Sequence, residues 1–286
     1  MATGASRVTD IGGYFNNIYE DSVFAVREGT LATRLVTVFT DGAGDQTRTL
    51  PAYSSVSYSA VAETEDFSNP TRFSKSALST LTPSEVMAQM IITDRRIETD
   101  PENARQDAAT ELGAAAATKV DTDIFGNFSS LTGGTLGASG STFTWGYFYS
   151  ALTNLRIGNV PMPYVAVLHP THWHKLAVTA AVASTVTNAP SFQDEVMRRW
   201  YVGTVAGVDI FVSNNVPAGG TSTDSYSAMF NPRALAFDLR RGYRLEPERD
   251  ASKRAYELNA TMHYAHGVWR PLWGAYILAD AQAPTS

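Results

Sequence analysis

Hydrophobic positions along this chain recur in two periods, and the switches between them mark out its elements. Over residues 14–28, Phe15, Ile18, Val23 and Val26 recur at roughly helical spacing, and Gly29 is a natural stop. Residues 31–39 are rich in β-branched side chains and predict a strand, which the Gly-rich run from Asp41 to Asp45 ends in a turn. Leu50, Ala52, Val56, Tyr58 and Ala60 then alternate with polar residues, the period of a half-covered strand. Its return falls over residues 71–81. Between the two lies an acidic tip, Glu63, Glu65 and Asp66, closed by Asn69 and Pro70. The resulting hairpin has one thin apolar face, and an isolated two-stranded hairpin is marginal in water. Its cover comes either from its own domain or from another molecule.

Residues 86–97 read as a strand with Met87, Met90, Ile91 and Ile92 as its apolar members, followed by a long helix. Asp100 suits the N-cap, Pro101 the first turn, and Glu102 the positive end of the dipole. Ala108, Leu112, Ala115, Ala116, Val120 and Ile124 form the buried stripe, and Gly126 ends it. Asp121 and Asp123 are expected at a solvated helix end. Residues 131–141, LTGGTLGASGS, read as a linker or exposed loop. Helices are expected over 144–157, from Pro170 onward, and over 192–200. Strands are expected over 164–168, 226–230 and 243–245, with a hairpin over 202–212 turning at Ala206 and Gly207. Residues 217–225 read as a loop, and the aromatic stretch 255–278 favours strand. No tandem repeat is present.

Composition narrows the function. A chain of 286 residues can hold one large domain or two modest ones. Charged residues make up only 17%, which suits a surface largely covered by something else. A net charge of −6 argues against broad nucleic-acid binding, although a local basic stripe is compatible with it. With no cysteine, disulfides, thiolate metal sites and cysteine nucleophiles are excluded. The first residues have no signal-peptide pattern, and no apolar run reaches the ~20 residues needed to span a bilayer. The expectation is a soluble protein made in a reducing cytoplasm.

The candidate chemistry is HPTHWHK, which sets His169, His172 and His174 close together. Zinc favours nitrogen ligands, so a metallohydrolase has to be weighed. Pro170 opens a helix, and residues two apart on a helix point to nearly opposite faces. His172 and His174 therefore do not converge, and the expectation is that both are partly exposed while His169 satisfies a backbone group. His263 and His266 split across the faces of a strand. HExxH, GxSxG, the P-loop and GxGxxG patterns are all absent. No catalytic residue, metal ligand or cofactor is expected.

The order of elements resembles the HK97-type fold of tailed-phage major capsid proteins. VAVLHPTHWHKL is similar to a strand, His-Pro turn and helix in their axial region. Asn231, Pro232, Arg233, Ala234, Gly267, Arg270 and Pro271 match C-terminal segments of short-tailed-phage capsid proteins. The resemblance implies an α+β, HK97-like capsid fold divided into four parts. These are an N-terminal arm and first strand (1–44), an extended β-hairpin loop (45–83), a peripheral domain with a long spine helix (84–128 and 241–286), and an axial domain (129–240). It further implies a non-enzymatic subunit that self-assembles as hexamers and pentamers into an icosahedral head. That head encloses double-stranded DNA without sequence-specific contacts.

The resemblance implies a place in the virion capsid after synthesis in the host bacterial cytoplasm, with no membrane. The expected partners are a separate scaffolding protein, a portal and possible decoration proteins. An encapsulin-like compartment is the alternative within the fold. The acidic tip needs a basic receiver on a neighbour. The expected intersubunit set is Glu63, Glu65 and Asp66 with Arg48, Arg72, Lys75, Arg95, Arg96, Arg240 and Arg241.

Overall fold

The computed structural model describes residues 30–53, 74–99, 101–183, 201–219 and 223–284, with the single positions 56, 58, 60, 61, 63 and 72. The helices expected over 14–28 and 192–200 lie outside these residues. The described chain opens with a one-turn helix, α1 (Ala32–Leu35), and a short strand, β1 (Thr37–Phe39). The first half of the strand expected over 31–39 is therefore helical. The cause is tertiary. The carboxylate of Asp121 accepts from the N–H groups of Leu31 (3.1 Å) and Ala32 (2.8 Å), which a helix start would otherwise leave unsatisfied.

The predicted hairpin is present at its root as β2 (Arg48–Tyr53) and β3 (Lys75–Leu81), antiparallel from Arg48 opposite Leu81 to Tyr53 opposite Lys75, while the described positions 56, 58, 60, 72 and 74 are not in strand. Strand β4 (Ser84–Thr93) follows and stops earlier than expected, because a short helix, α2 (Asp94–Thr99), takes over. Asp94 opens that helix and binds Arg249, an acidic group where the helix dipole favours one. The long helix α3 (Pro101–Phe125) ends before Gly126, as expected. Ala108, Leu112, Ala116, Val120 and Ile124 are buried on it, but Ala115 is exposed and Ala117 is buried instead.

The remaining elements are β5 (Gly134–Gly137), α4 (Trp145–Ile157), β6 (Tyr164–Leu168), α5 (Pro170–Ala183), β7 (Tyr201–Val205), β8 (Val208–Val212), β9 (Asp224–Phe230), β10 (Leu235–Asp250), β11 (Ala255–Val268) and β12 (Gly274–Asp280). Strands β1, β10, β11 and β4 form a four-stranded sheet in that order. A six-stranded sheet runs β5, β12, β9, β6, β8, β7. After β11 the chain leaves the four-stranded sheet, and β12 inserts between β5 and β9 of the other one. The expected linker 131–141 holds β5, which pairs in parallel with β12. Gly137 makes this approach possible: its φ is 76°, and a Cβ there would collide with the carbonyl oxygen of Leu278.

Strand β6 shows how the cores divide. All five of its residues are buried, and alternate side chains enter different clusters. Val165 and Val167 join Val120, Ile124, Phe128, Phe230, Phe237 and Tyr264, where both sheets meet the long helix. Tyr164, Ala166 and Leu168 face α4 and α5, with Phe148, Leu152 and Leu176. A third cluster packs Ala108 and Leu112 against Ile92, Leu258 and Ala260 of the four-stranded sheet.

Candidate assembly surface

The hairpin is anchored at its root and exposes several large side chains beyond it. At the root, Leu50 and Leu81 pack on Ala236 and Ala265, with Phe39 and Trp269 alongside. The indole of Trp269 donates to the carbonyl of Pro51 (3.3 Å) and lies 5.8 Å from the Phe39 ring. Outward, Tyr53 (55%) and Val56 (59%) are exposed, Tyr58 is fully so, and Val61 and Leu78 are also exposed. These are large exposed apolar surfaces, which mark a site of interaction.

A charged cluster fixes the hairpin's base to β10. The Asp238 carboxylate is fully buried and accepts from Arg48 Nε (2.8 Å) and Arg240 Nη2 (2.7 Å). Arg240 reaches on to the carbonyls of Ala43 (3.2 Å) and Gln46 (2.8 Å), pinning the turn that leads into β2. Gly42 permits that reach, since a Cβ there would overlap the guanidinium carbon of Arg240. Arg48 also binds Asp41 (2.5 Å) and lies over the Phe39 ring at 4.7 Å. The same contact holds the Asp41 carboxyl below its ordinary pKa. His263 meets Asp45 at 3.1 Å.

The predicted contact residues therefore separate. Arg48, Arg240 and Arg241 bind carboxylates of their own chain, Arg241 through Glu85. Arg95 and Arg96 are exposed on α2 and form no ion pair among the described residues. Glu63, Arg72 and Lys75 are exposed along the hairpin. Glu65 and Asp66 lie outside the described residues.

Two polar residues that pattern reasoning misplaced are deep inside. Asp121, expected at a solvated end, is buried under the start of α1. Burial raises its pKa, and the two amide donors of residues 31 and 32 oppose that. Its neighbour Asp123 accepts from the buried Tyr264 hydroxyl (2.6 Å) and from Lys119 (2.7 Å). His172, expected partly exposed, is completely buried and stacks on Phe143, the rings 4.8 Å apart. Its Nε2 faces the Ala279 carbonyl (3.2 Å), so it carries the proton, and Nδ1 accepts from the Ser227 hydroxyl (2.7 Å). Ser227 in turn accepts from the His169 amide (3.1 Å), so each group has one consistent role. Burial lowers the His172 pKa to about 4.

His169 accepts from the amide of Thr171 (3.3 Å) at the start of α5, the backbone role expected of it. His174 faces solvent, on a different side of the helix from His172. Among the described residues, no three His, Cys, Asp or Glu side chains are placed to hold a metal ion.

No helix among the described residues is long and apolar enough to cross a membrane. A family model described as phage capsid protein matches residues 85–277. No curated protein matches the chain. Among solved structures, it is similar to the capsid of the cyanophage P-SCSP1u (TM-score 0.66, 17% identity, covering 88% of this chain and 89% of that one). It is similar to a structure of Mycobacterium phage Che8 (TM-score 0.63, 19% identity, covering 87% and 90%). A virus-like particle from Pyrococcus furiosus also shares the fold (TM-score 0.57, 12% identity, covering 92% and 99%).

Proposed function

The chain belongs to the phage capsid protein family and is a major capsid structural subunit, and we propose that its extended hairpin joins copies of it into a closed icosahedral head around double-stranded DNA. The observation that carries this reading is the contrast along the hairpin. Its root is fixed by a buried apolar cluster and a buried carboxylate, while its outer part exposes Tyr53, Val56, Tyr58 and Val61. A rigid root aims the segment; a bare apolar surface gives it something to bury on a neighbour. The acidic tip, Glu63, Glu65 and Asp66, meets the exposed Arg95 and Arg96 of an adjacent copy. Arg72 and Lys75 line the same contact, and Arg48, Arg240 and Arg241 hold the receiving and projecting elements in place.

In this reading the four-stranded sheet with α3 forms the peripheral part and the six-stranded sheet the axial part, so β12 goes with the axial part and not with the peripheral span 241–286 expected from the sequence. Subunits gather as hexamers and pentamers, guided by a separate scaffolding protein, with a portal and decoration proteins completing the particle. They are made in the host cytoplasm, and the acidic chain encloses DNA without gripping particular sequences. No catalytic role belongs to this reading.

The test replaces residues 61–70 with Asn-Gly, a turn suited to a hairpin. Circular dichroism should report an intact subunit, while sedimentation and electron microscopy show no shells. Reversing Glu63, Glu65 and Asp66 to lysine should weaken assembly, less so in added salt. Normal shells from both variants would refute the proposal. An encapsulin-like compartment is the second reading within the same fold. Purified particles that contain cargo protein and no DNA would favour it.

A further inference from the structure

At the other end of β10 and β11 from their connecting turn, two arginines lie side by side with no counterion among the described residues. The carbonyl of Ala234 accepts from the amides of both Trp269 (2.8 Å) and Arg270 (3.1 Å), which brings Arg270 beside Arg233, the residue preceding Ala234. The Arg270 guanidinium is clamped between two indoles, 5.1 Å from the Trp269 ring and 4.0 Å from the Trp273 ring. A single 3₁₀ turn over Pro271–Trp273, closed by the Trp273 amide on the Arg270 carbonyl (3.0 Å), sets the second indole in place.

Both indoles are themselves held. Trp269 is bonded to the hairpin root, and Trp273 packs where the two large cores meet. Among the described residues, neither Arg233 nor Arg270 has a carboxylate within ion-pair distance. Burial and the neighbouring charge of Arg233 both hold the Arg270 pKa below its ordinary value. Beside them Leu272 is 66% exposed.

We propose that this arginine pair, seated on its tryptophan clamp, is a docking site for a carboxylate of a second copy of this chain. The proposal rests on the shell reading above. Charge complementarity selects the partner: two cations lack a counterion among the described residues of a chain whose net charge is −6, so any copy approaching this face brings carboxylates. The residue types select protein over nucleic acid. Trp and Arg, ordered before contact and flanked by an exposed leucine, are the composition of a protein interface core. A phosphate-binding surface would not need the apolar flank. A guanidinium already stacked on two rings has less freedom left to lose when the carboxylate arrives.

The decisive experiment uses Arg233→Lys, which keeps the charge at an exposed position and supplies an amine. Particles co-assembled from ¹⁴N and ¹⁵N subunits are treated with a water-soluble carbodiimide, which joins amines to carboxylates in contact. Mass spectrometry should find the amine introduced at position 233 linked to an Asp or Glu with mixed isotopes. In parallel, Arg270→Gln and Arg233→Gln should raise the subunit concentration needed for half-assembly by about tenfold each. Arg233→Gln lies on the surface and guards against a folding defect at Arg270.

Links confined to one isotope, or unimpaired assembly of both Gln variants, would overturn the proposal. Normal shells that lose packaged DNA would also overturn it, in favour of a phosphate ligand. Absence of particles from the wild-type chain would refute the shell reading and this proposal with it.

Discussion

Asp238→Ala tests whether the hairpin root is an electrostatic latch. The carboxylate is fully buried and takes two guanidiniums on one oxygen, while its other oxygen has no partner among the described residues. Removing it leaves Arg240, 4% exposed, hydrogen-bonded only to two carbonyls among the described residues, with the Asp41 carboxylate acting on it from further off. Breaking a buried pair by deleting one partner costs roughly 3–5 kcal/mol. Two features reduce this here: Arg48 keeps Asp41, and the unpaired oxygen of Asp238 is removed with the rest. The expected loss is therefore about 3 kcal/mol, or roughly 5 °C in the unfolding midpoint of a chain this size.

The contrast is Arg241→Ala, which breaks a pair exposed on both sides (43% and 56%) and should change stability by less than about 1 kcal/mol. The double variant Asp238→Leu with Arg240→Met replaces the charges with apolar volume and should recover most of the loss. Thermal unfolding followed by circular dichroism on unassembled subunits measures all three. A midpoint for Asp238→Ala no lower than that for Arg241→Ala, or a double variant no better than the single, would refute the latch.

The long helix gives a paired test: Ala116→Asp should leave the protein insoluble because it buries an unpaired charge, whereas Ala115→Asp, one residue earlier and exposed, should change stability by no more than about 0.5 kcal/mol. Gly137→Ala should loosen β5 from β12, seen as faster amide exchange over residues 134–137, because the new methyl meets the Leu278 carbonyl and φ is positive. His172 should make the subunit acid-sensitive. Its folded pKa of about 4 lies below the ordinary 6.5, so the unfolded chain takes up the proton first, and stability falls from pH 6.5 toward 4 by up to roughly 3 kcal/mol. Asp121, whose pKa is raised, works in the opposite direction, so the readout is the difference between wild type and His172→Gln across that range; a pH-independent difference would refute it.

Elements whose own residues decide them were legible in the sequence. The long helix carries its stripe and its stop, β6 is an unbroken apolar run, and Ala206 with Gly207 turns β7 into β8 at positive φ (53° and 81°) as expected. Elements decided by distant neighbours were not. Helix α1 exists because Asp121 satisfies its amides, and β5 looks like a linker because glycine is what its close pairing with β12 requires. Strand β10 runs sixteen residues, but its outer half is charged and half-exposed, so only residues 243–245 showed a strand pattern.

The candidate site divides in the same way. The hairpin and its bare face follow from alternation and length. The engagement of Arg48 and Arg240 does not, because their partner Asp238 lies almost two hundred positions away from Arg48 and becomes its neighbour only when β10 pairs with β1.

That division bears on the proposed assembly role of the hairpin. Among the described residues, surfaces open to a neighbour include the outer hairpin and the exposed face of β4, with Met87 and Ile91. Neither belongs to the large buried clusters, so covering them adds nothing to the fold of a single chain. The groups that aim them lie inside: Asp238 with its arginines, the indole of Trp269, and Asp121 beneath α1. Each joins segments far apart in sequence, and Asp238 and Trp269 reach the hairpin only once β10 and β11 have brought them there. A partly folded chain would then lack a fixed hairpin direction, and a contact spread over several residues forms poorly when its members are not held together. If the hairpin joins subunits as proposed, the polar groups buried at its root would act on assembly through geometry, by fixing the direction of the projecting surface only on a completed subunit.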